Sequence, residues 1–443
     1  MTGTRDIVRI AADCGEEAAR RGFSHMAQSM VGSSILKVAN EIRELRDQGV
    51  AVADMTVGDF APNEFPIPDA LRRYLSEALQ AGETNYPPAA GDRELRGAVQ
   101  EHFLRELGLD YPLEGIAIVS GGRPSLYSTY RLLVDPGELV LFPVPSWNNH
   151  NYRDTCGVRV RGVMTRPEDA FQPTADQLRP HVADARLIVL NTPQNPSGGV
   201  MREEDVRGFG ELLVEENARR EREGGKPLYL LYDQIYSLLT FPGYEHWSPV
   251  QLVPECAPYV VHADGISKGF CATGLRCGWL VAAPAVARKV VALGTHVGAW
   301  APRPVQTATA RFLRDREAMD AWRSDVIERV RERLDLLDEG LRAMRADGLP
   351  VDCIEPQGAI YMSVQLRLAG MRTADGRVLA DNEDIRSWLL QVAAFGLVPF
   401  SAFGVEPEDE DGWFRASVGA VGPEDVRAAL PRLRAALESL RPA

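Results

Sequence analysis

The run VVHADGISKGFCATGLRCGWLVA, residues 260–282, sets Lys268 among glycines and apolar residues. It is one of four lysines, with Lys37, Lys226 and Lys289, in a chain that carries 49 Lys+Arg. Every other positive side chain in that total is arginine. The difference is chemical: a desolvated ammonium can lose its proton and attack a carbonyl, whereas a guanidinium stays charged. Lys268 is therefore a candidate Schiff-base nucleophile.

Further polar residues gather where apolar runs stop. IAIV (116–119) leads into Ser120-Gly121-Gly122-Arg123, LVLF (139–142) into PVPSWNNH, and LIVL (187–190) into NTPQNPSGG. LYLLY (228–232) leads into Asp233-Gln234-Ile235-Tyr236, and YVVHA (259–263) into DGISKG. Taken singly, each cluster also reads as turn or cap chemistry. Together they point to one crevice at the carboxyl ends of parallel strands. Gly122 and the N–H groups after it form a phosphate nest at a helix start. Arg276 adds a charge-assisted grip on the same dianion. Trp147 offers a flat face for a planar ring and Asp233 a partner for a ring N–H⁺. Asn195 and Tyr236 can hydrogen-bond a ring oxygen. With the Lys268 amine, this set suits a phosphorylated, protonatable aromatic aldehyde, which describes pyridoxal 5′-phosphate.

Elements must hold those residues. The apolar runs do not alternate with polar residues, as expected of strands buried on both faces of a mostly parallel sheet covered by helices. ILKVANEIRELRDQG has helical spacing through Ile35, Val38, Ile42 and Leu45, with Gly49 as C-cap. A long amphipathic helix carries Val326, Val330, Leu334, Leu337 and Leu341 on one face. The stretches after it, VDCIEPQGAIYMSVQL, GLVPF, WFRASVG and a final helix, read as a smaller α+β unit. The expected division is an N-terminal extension over 1–30, a segment over 31–65 that packs with the small domain, a large cofactor-binding domain over 66–318 and a small C-terminal domain over 319–443. The charged stretches NARREREGGKP and RTADGRVLADNED read as surface insertions.

Bulk properties narrow the partners. A formal net charge of -13 argues against a nucleic-acid or anionic-membrane binder, which needs a basic face. The six cysteines form no CxxC or Cys/His cluster, so reduced thiols are expected and no metal site. The start of the chain lacks an apolar signal core, and no apolar run approaches a membrane span. A cytoplasmic protein is the expectation.

The ordered set NYPPAAGDRELRGAV, VSGGRPSLYSTYRLLVDPGELVLFPVPSW, NTPQNPSGGV, LYDQIYSLLTF, DGISKGFCATGLRCGWL and FRASVG resembles the fold-type I pyridoxal-phosphate enzymes. Within them it is similar to the class I/II aminotransferases, closest in motif to bacterial aspartate aminotransferases, over roughly residues 30–440. The resemblance implies that Lys268 binds the cofactor aldehyde covalently and later moves the substrate proton. It implies that Asp233 keeps the ring nitrogen protonated, that Tyr236 and Asn195 bind the ring oxygen, and that Trp147 stacks on the ring. Phosphate falls to Gly122, Arg123 through its backbone, Arg276, and Tyr86 from the partner subunit of a homodimer. Arg415 takes the substrate α-carboxylate, and Gly58 lines the substrate side.

Two departures bear on substrate. Many relatives have a phosphate-binding serine three residues before the lysine; here that residue is Gly265. A subset of bacterial aspartate aminotransferases shares this glycine and reads GGK where this chain reads GGR. There the lysine reaches a distal substrate carboxylate, so Arg123 either does the same or merely flanks the phosphate. The resemblance also places His150 beneath Asp233 as its orienting partner, and Trp300 and Arg303 in a region that completes the partner's substrate pocket. The expected reaction is ping-pong transfer of an amino group from an acidic amino acid to a 2-oxo acid. The alternatives are a lyase, cyclase or oxidase that uses the same cofactor. A regulatory relative would need an added DNA-binding domain, and a nicotinamide enzyme would need a GxGxxG after the first strand.

Overall fold

The computed structural model describes residues 12–30 and 34–442, with backbone alone for 34–37. Residues 1–11 of the expected N-terminal extension lie outside the described residues, as do 31–33. Within 12–30 the chain forms two short helices, Glu16–Gly22 and His25–Ser29.

Seven strands make the main sheet: β1 (Ile116–Val119), β2 (Leu139–Val144), β3 (Arg159–Met164), β4 (Ala185–Asn191), β5 (Tyr229–Asp233), β6 (Val260–Gly265) and β7 (Gly278–Val281). Their order is β1-β7-β6-β5-β4-β2-β3. Only β7 runs against its neighbours, pairing antiparallel with β1 and β6. All other pairs are parallel. The fold is the α/β arrangement expected, and the reason lies in the strands. Successive side chains point to opposite faces, and here both faces are covered. Leu187 and Val189 of β4 join one core with Val140, Leu231 and Val261. Ile188 and Leu190 join the other with Leu141, Leu230 and Val260.

The helices that cover the sheet include α1 (Arg93–Leu107), α2 (Gly122–Leu133) and α3 (Glu203–Arg222). A single turn, α4 (Ile266–Gly269), follows β6, and α5 (Arg303–Arg314) precedes the long α6 (Arg316–Ala346). On α6, Met319 belongs to the core on one sheet face, whereas Val326, Val330, Leu334, Leu337 and Leu341 belong to a separate core. Trp322 packs against both. That second core is built on an antiparallel sheet of β8 (Val351–Cys353), β9 (Tyr361–Leu366), β10 (Val398–Pro399) and β11 (Trp413–Ser417), in the order β10-β11-β9-β8. The helix Ser34–Asp47 makes a small cluster of its own, Val38 and Ile42 against Leu390.

One charged stretch differs from expectation. NARREREGGKP is the end of α3 and its exit, not a solvated insertion. Asn217 and Arg220 point inward, one turn apart, while Ala218, Glu221 and Arg222 face water. Arg220 Nε pairs with Glu216 Oε1 at 2.6 Å, and its Nη2 donates to the Val182 and Ala185 carbonyls at 2.6 and 2.7 Å. Asn217 exchanges two hydrogen bonds with the Leu228 backbone. These contacts pin the entries to β4 and β5. RTADGRVLADNED is largely a surface hairpin, but Leu379 plugs the second core.

Candidate active site

The carboxyl ends of β1, β2, β4, β5 and β6 bring the polar clusters to one place. β7, being reversed, contributes its entry, and Arg276 sits just before it. Arg276 Nη2 donates to the Ser120 carbonyl at 3.0 Å and Nη1 to the Thr273 carbonyl at 2.8 Å. This guanidinium lies flat against Gly121, where a Cβ would stand 2.6 Å from Nη2. Gly121 also has φ of 91°, the left-handed side that glycine tolerates. The turn so made starts α2 at Gly122, leaving its first N–H groups beside the arginine.

Gly265 has a steric cause. A Cβ there would fall 2.7 Å from Gly278 Cα and 2.8 Å from the Cys277 carbonyl oxygen. The close approach of β6 to β7 leaves no room for a side chain, serine included.

Lys268 leaves α4 towards the second core. Its Nζ donates to the Gly58 carbonyl at 2.5 Å. Burial lowers its pKa to about 8, with Asp59 opposing and the Arg415 charge assisting the fall. A Cβ at Gly58 would crowd Tyr361 Oη at 3.0 Å and Arg415 Nη1 at 3.3 Å. Asp233, last residue of β5, is buried, and burial raises its pKa to about 7 against one hydrogen bond from Ile235 N–H at 3.2 Å. No ion pair to a cation satisfies it among the described residues.

Arg415 on β11 is 1 % exposed. Nη1 donates to Asn195 Oδ1 at 3.0 Å and Nη2 to the Thr56 carbonyl at 2.6 Å. Its guanidinium lies 4.8 Å from the ring centres of both Tyr361 and Phe403. Nε is buried with no hydrogen-bond partner. All its partners are neutral. Because Asn195 Oδ1 faces Arg415, its amide nitrogen is left to donate elsewhere. The Tyr236 and Tyr361 hydroxyls are 2.6 Å apart, and burial raises the pKa of both. Tyr361 was not among the expected site residues. It starts β9 inside an apolar run, so its spacing does not separate it from a core aromatic.

Arg123 stacks on Trp147, 4.5 Å from the ring centre. Tyr86 stands apart, 81 % exposed, its ring edge-on to Trp300 at 5.4 Å. Arg303 pairs with Glu83 and donates to Asn85, both on the segment leading to Tyr86. His150 has a different neighbourhood from the one the resemblance implied. Its Nε2 is 3.1 Å from Asn151 Nδ2, its Nδ1 is buried beside Gly404 without a partner, and no hydrogen bond joins it to Asp233. The loop after β2 turns at Asn148 with φ of 64°, which carries His150 onto the 400–404 segment.

A buried amine, a carboxylate without a cation and a guanidinium without an anion now share one crevice. Residues 51–433 match the family described as aminotransferase class I and II. The chain belongs to that family. It is 31% identical to a probable aspartate/prephenate aminotransferase of Thermus aquaticus over 94% of this chain and 100% of the relative. It is also 31% identical to the aspartate/prephenate aminotransferase of Thermus thermophilus, over 87% of this chain and 93% of the relative. Among solved structures, the aspartate aminotransferase of Rhizobium meliloti superposes with a TM-score of 0.84 at 26% identity, covering 95% of this chain and 100% of that one. The Thermus thermophilus aspartate aminotransferase with maleate gives 0.81 at 29% identity, covering 94% and 100%.

As an aminotransferase of this family the protein uses pyridoxal 5′-phosphate. Its residues fit that group. The helix start at Gly122 with Arg276 suits a phosphate, the uncompensated Asp233 carboxylate suits a ring N–H⁺, and Lys268 is the buried amine the aldehyde needs. Among the described residues no group of His, Cys, Asp or Glu could hold a metal ion. Among the described residues no helix is long and apolar enough to cross a membrane.

Proposed function

We propose that this aminotransferase takes its amino group from an acidic, aspartate- or glutamate-like amino acid and gives it to a 2-oxo acid in a ping-pong cycle. The observation that carries the amino-acid reading is Arg415: a buried guanidinium whose hydrogen-bond partners are all neutral is a site for the α-carboxylate. The named activities of the Thermus and Rhizobium relatives support the acidic donor.

When bound, pyridoxal phosphate supplies the carbonyl for amine exchange and a ring that accepts electrons. The chain's residues do the rest. Lys268 Nζ, with a pKa near 8, exists partly as free amine near neutral pH and can take and return the proton at substrate Cα. Asp233 holds a proton on the ring nitrogen. Tyr236 Oη and the Asn195 amide nitrogen donate to the ring oxygen, Trp147 covers the ring, and Gly122, the Arg123 backbone and Arg276 hold the phosphate. Arg415 orients the α-carboxylate against the wall that Gly58 leaves open. Arg123, already stacked on Trp147, extends over the ring as the reader of a distal carboxylate.

We also propose a homodimer in which the exposed Tyr86 reaches the partner's phosphate site, division into working bodies over 66–318 and 319–443, and a cytoplasmic setting supported by six unpaired cysteines. The donor is tested by mixing holoenzyme with single amino acids and following the cofactor's absorption change. Aspartate and glutamate should drive it, and Arg123→Ala should lower the kcat/KM ratio of aspartate over alanine. An unchanged ratio would remove Arg123 from the distal-carboxylate role.

A further inference from the structure

Between α1, α6 and the segment that follows β5 lies a cavity of about 240 Å³. Asp233 ends β5, and Gln234, the next residue, forms part of the cavity wall. Its floor is apolar, from Phe103, Leu107 and Leu238. Its charged groups are Arg323, Glu106 and Glu245. Arg323 of α6 is ion-paired with Glu106 Oε2 at 3.2 Å. Glu245 also lines it, exposed and, among the described residues, without a hydrogen bond or ion pair.

Two histidines complete the lining. Burial lowers the pKa of both His102 and His246 to about 4, so each is a neutral ring with one donor and one acceptor. Both ring nitrogens of His246 are buried and unpartnered. An unmet buried polar group costs about 1–3 kcal/mol, so the two His246 nitrogens are open to an occupant that hydrogen-bonds.

We propose that the cavity is a second ligand site for a small α-amino acid, bound as a zwitterion. The carboxylate meets Arg323, the ammonium meets Glu245 and the His246 acceptor, and a short side chain rests on Phe103 and Leu238. The volume, under the roughly 300 Å³ at which drug-sized pockets begin, restricts the occupant to a small molecule. The site is wired to the chemistry on both sides. The wall residues Ser237 and Leu238 follow Tyr236 directly. Trp322, next to Arg323, donates from Nε1 to the Gly269 carbonyl at 2.8 Å, one residue from Lys268. Leu238 also presses on Gly269, where a Cβ would come within 2.8 Å of its Cδ1. An occupant that draws Arg323 towards Glu245 therefore moves the supports of both Tyr236 and Lys268, and it tunes turnover without entering the active site.

The test uses holoenzyme turning over at saturating concentrations of whichever donor and acceptor it accepts. Glycine, alanine, serine and threonine are then added singly. At least one should change kcat saturably, by about fivefold, the lower range of ordinary coupling energies. It should also slow amide hydrogen exchange in residues 237–246. Glu245→Gln and Arg323→Met should keep the basal kcat and lose both responses. Because Arg323→Met also removes one of the two ion pairs of Glu106, leaving it with Arg105, the exposed Glu245→Gln decides where the two disagree. The proposal is overturned if none of the four alters kcat at saturating substrates, if their effect is purely competitive, or if Glu245→Gln responds as the parent does. Since any working substrate pair serves, a wrong assignment of the amino donor leaves this outcome untouched.

Discussion

Arg386 and Arg415 are equally buried, each 1 % exposed, and they differ in what meets the charge. Arg386 is held by Glu41 at 2.7 Å and Glu383 at 2.8 Å. Arg415 meets an amide oxygen, a carbonyl and two ring faces. Burying a charge is costly unless it is paired. In the first region the fold supplies the counter-charge, so the arginine joins the N-terminal helix to the second core. In the second the fold withholds it, and Asp233 and Lys268 repeat the pattern with opposite signs. A charge the fold leaves uncompensated marks where a ligand binds.

The comparison can be broken in several ways, the largest first. Lys268→Ala should cut kcat/KM by about 10²–10⁴-fold, the range that loss of general acid–base catalysis commonly costs, and no cofactor should remain covalently trapped after borohydride reduction. Arg415→Met and Arg386→Met should then split. The first should lose about 2–5 kcal/mol of transition-state binding with an apo-protein melting point unchanged or raised. The second should lose about 3 kcal/mol of stability, with near-parental kcat/KM below its melting transition. If Arg415→Met melts like Arg386→Met, the two arginines are the same kind of residue and the contrast fails.

The pH dependence of apo-protein stability sharpens it. Asp233 has a folded pKa raised from 3.8 to about 7, so its folded form holds a proton longer and its contribution falls away as pH rises across that window. Lys268 is depressed from 10.5 to about 8, so its penalty is full below pH 8 and fades as pH rises towards 10.5. Denaturant titrations should therefore show Lys268→Met apo-protein more stable than the parent at pH 7, with the gap closing by pH 10.5. They should show Asp233→Asn gaining on the parent between pH 4 and 7. Curves that run parallel to the parent would sink both assignments. The smallest effect belongs to Gly265→Ser, about 1–3 kcal/mol from overpacking β6 against β7, read as a lower melting point in holo- and apo-protein alike.

Much of this was legible in the sequence because burial on both faces writes itself as uninterrupted apolar runs. β1, β2, β4, β5 and β6 each contain such a run. β3 was hidden, since RVRGVM at the sheet edge is mostly outside the core. β7 was obscured by its four residues following Arg276 without a turn signal of their own. The charged face of α3 concealed Arg220, because composition reports how many charges a segment has and not which way each points. At the site, Lys268, Asp233, Asn195, Tyr236 and Arg276 stand at or beside the ends of elements, where polar residues interrupt apolar ones. Tyr361 interrupts nothing, and only the 2.6 Å contact with Tyr236 reveals it. The surroundings of His150 depend on how a loop turns at Asn148, which residue identity alone does not fix.

One rod, α6, is a wall of two hydrophobic interiors, and it passes between them in the turn around Trp322. Each residue of a helix advances about 100° around its axis. A one-codon insertion just after Trp322 would keep Met319 in place and swing Val326, Val330 and Leu334 out towards solvent together. Length variation among proteins built this way must therefore accumulate in loops, while the register of this rod stays frozen.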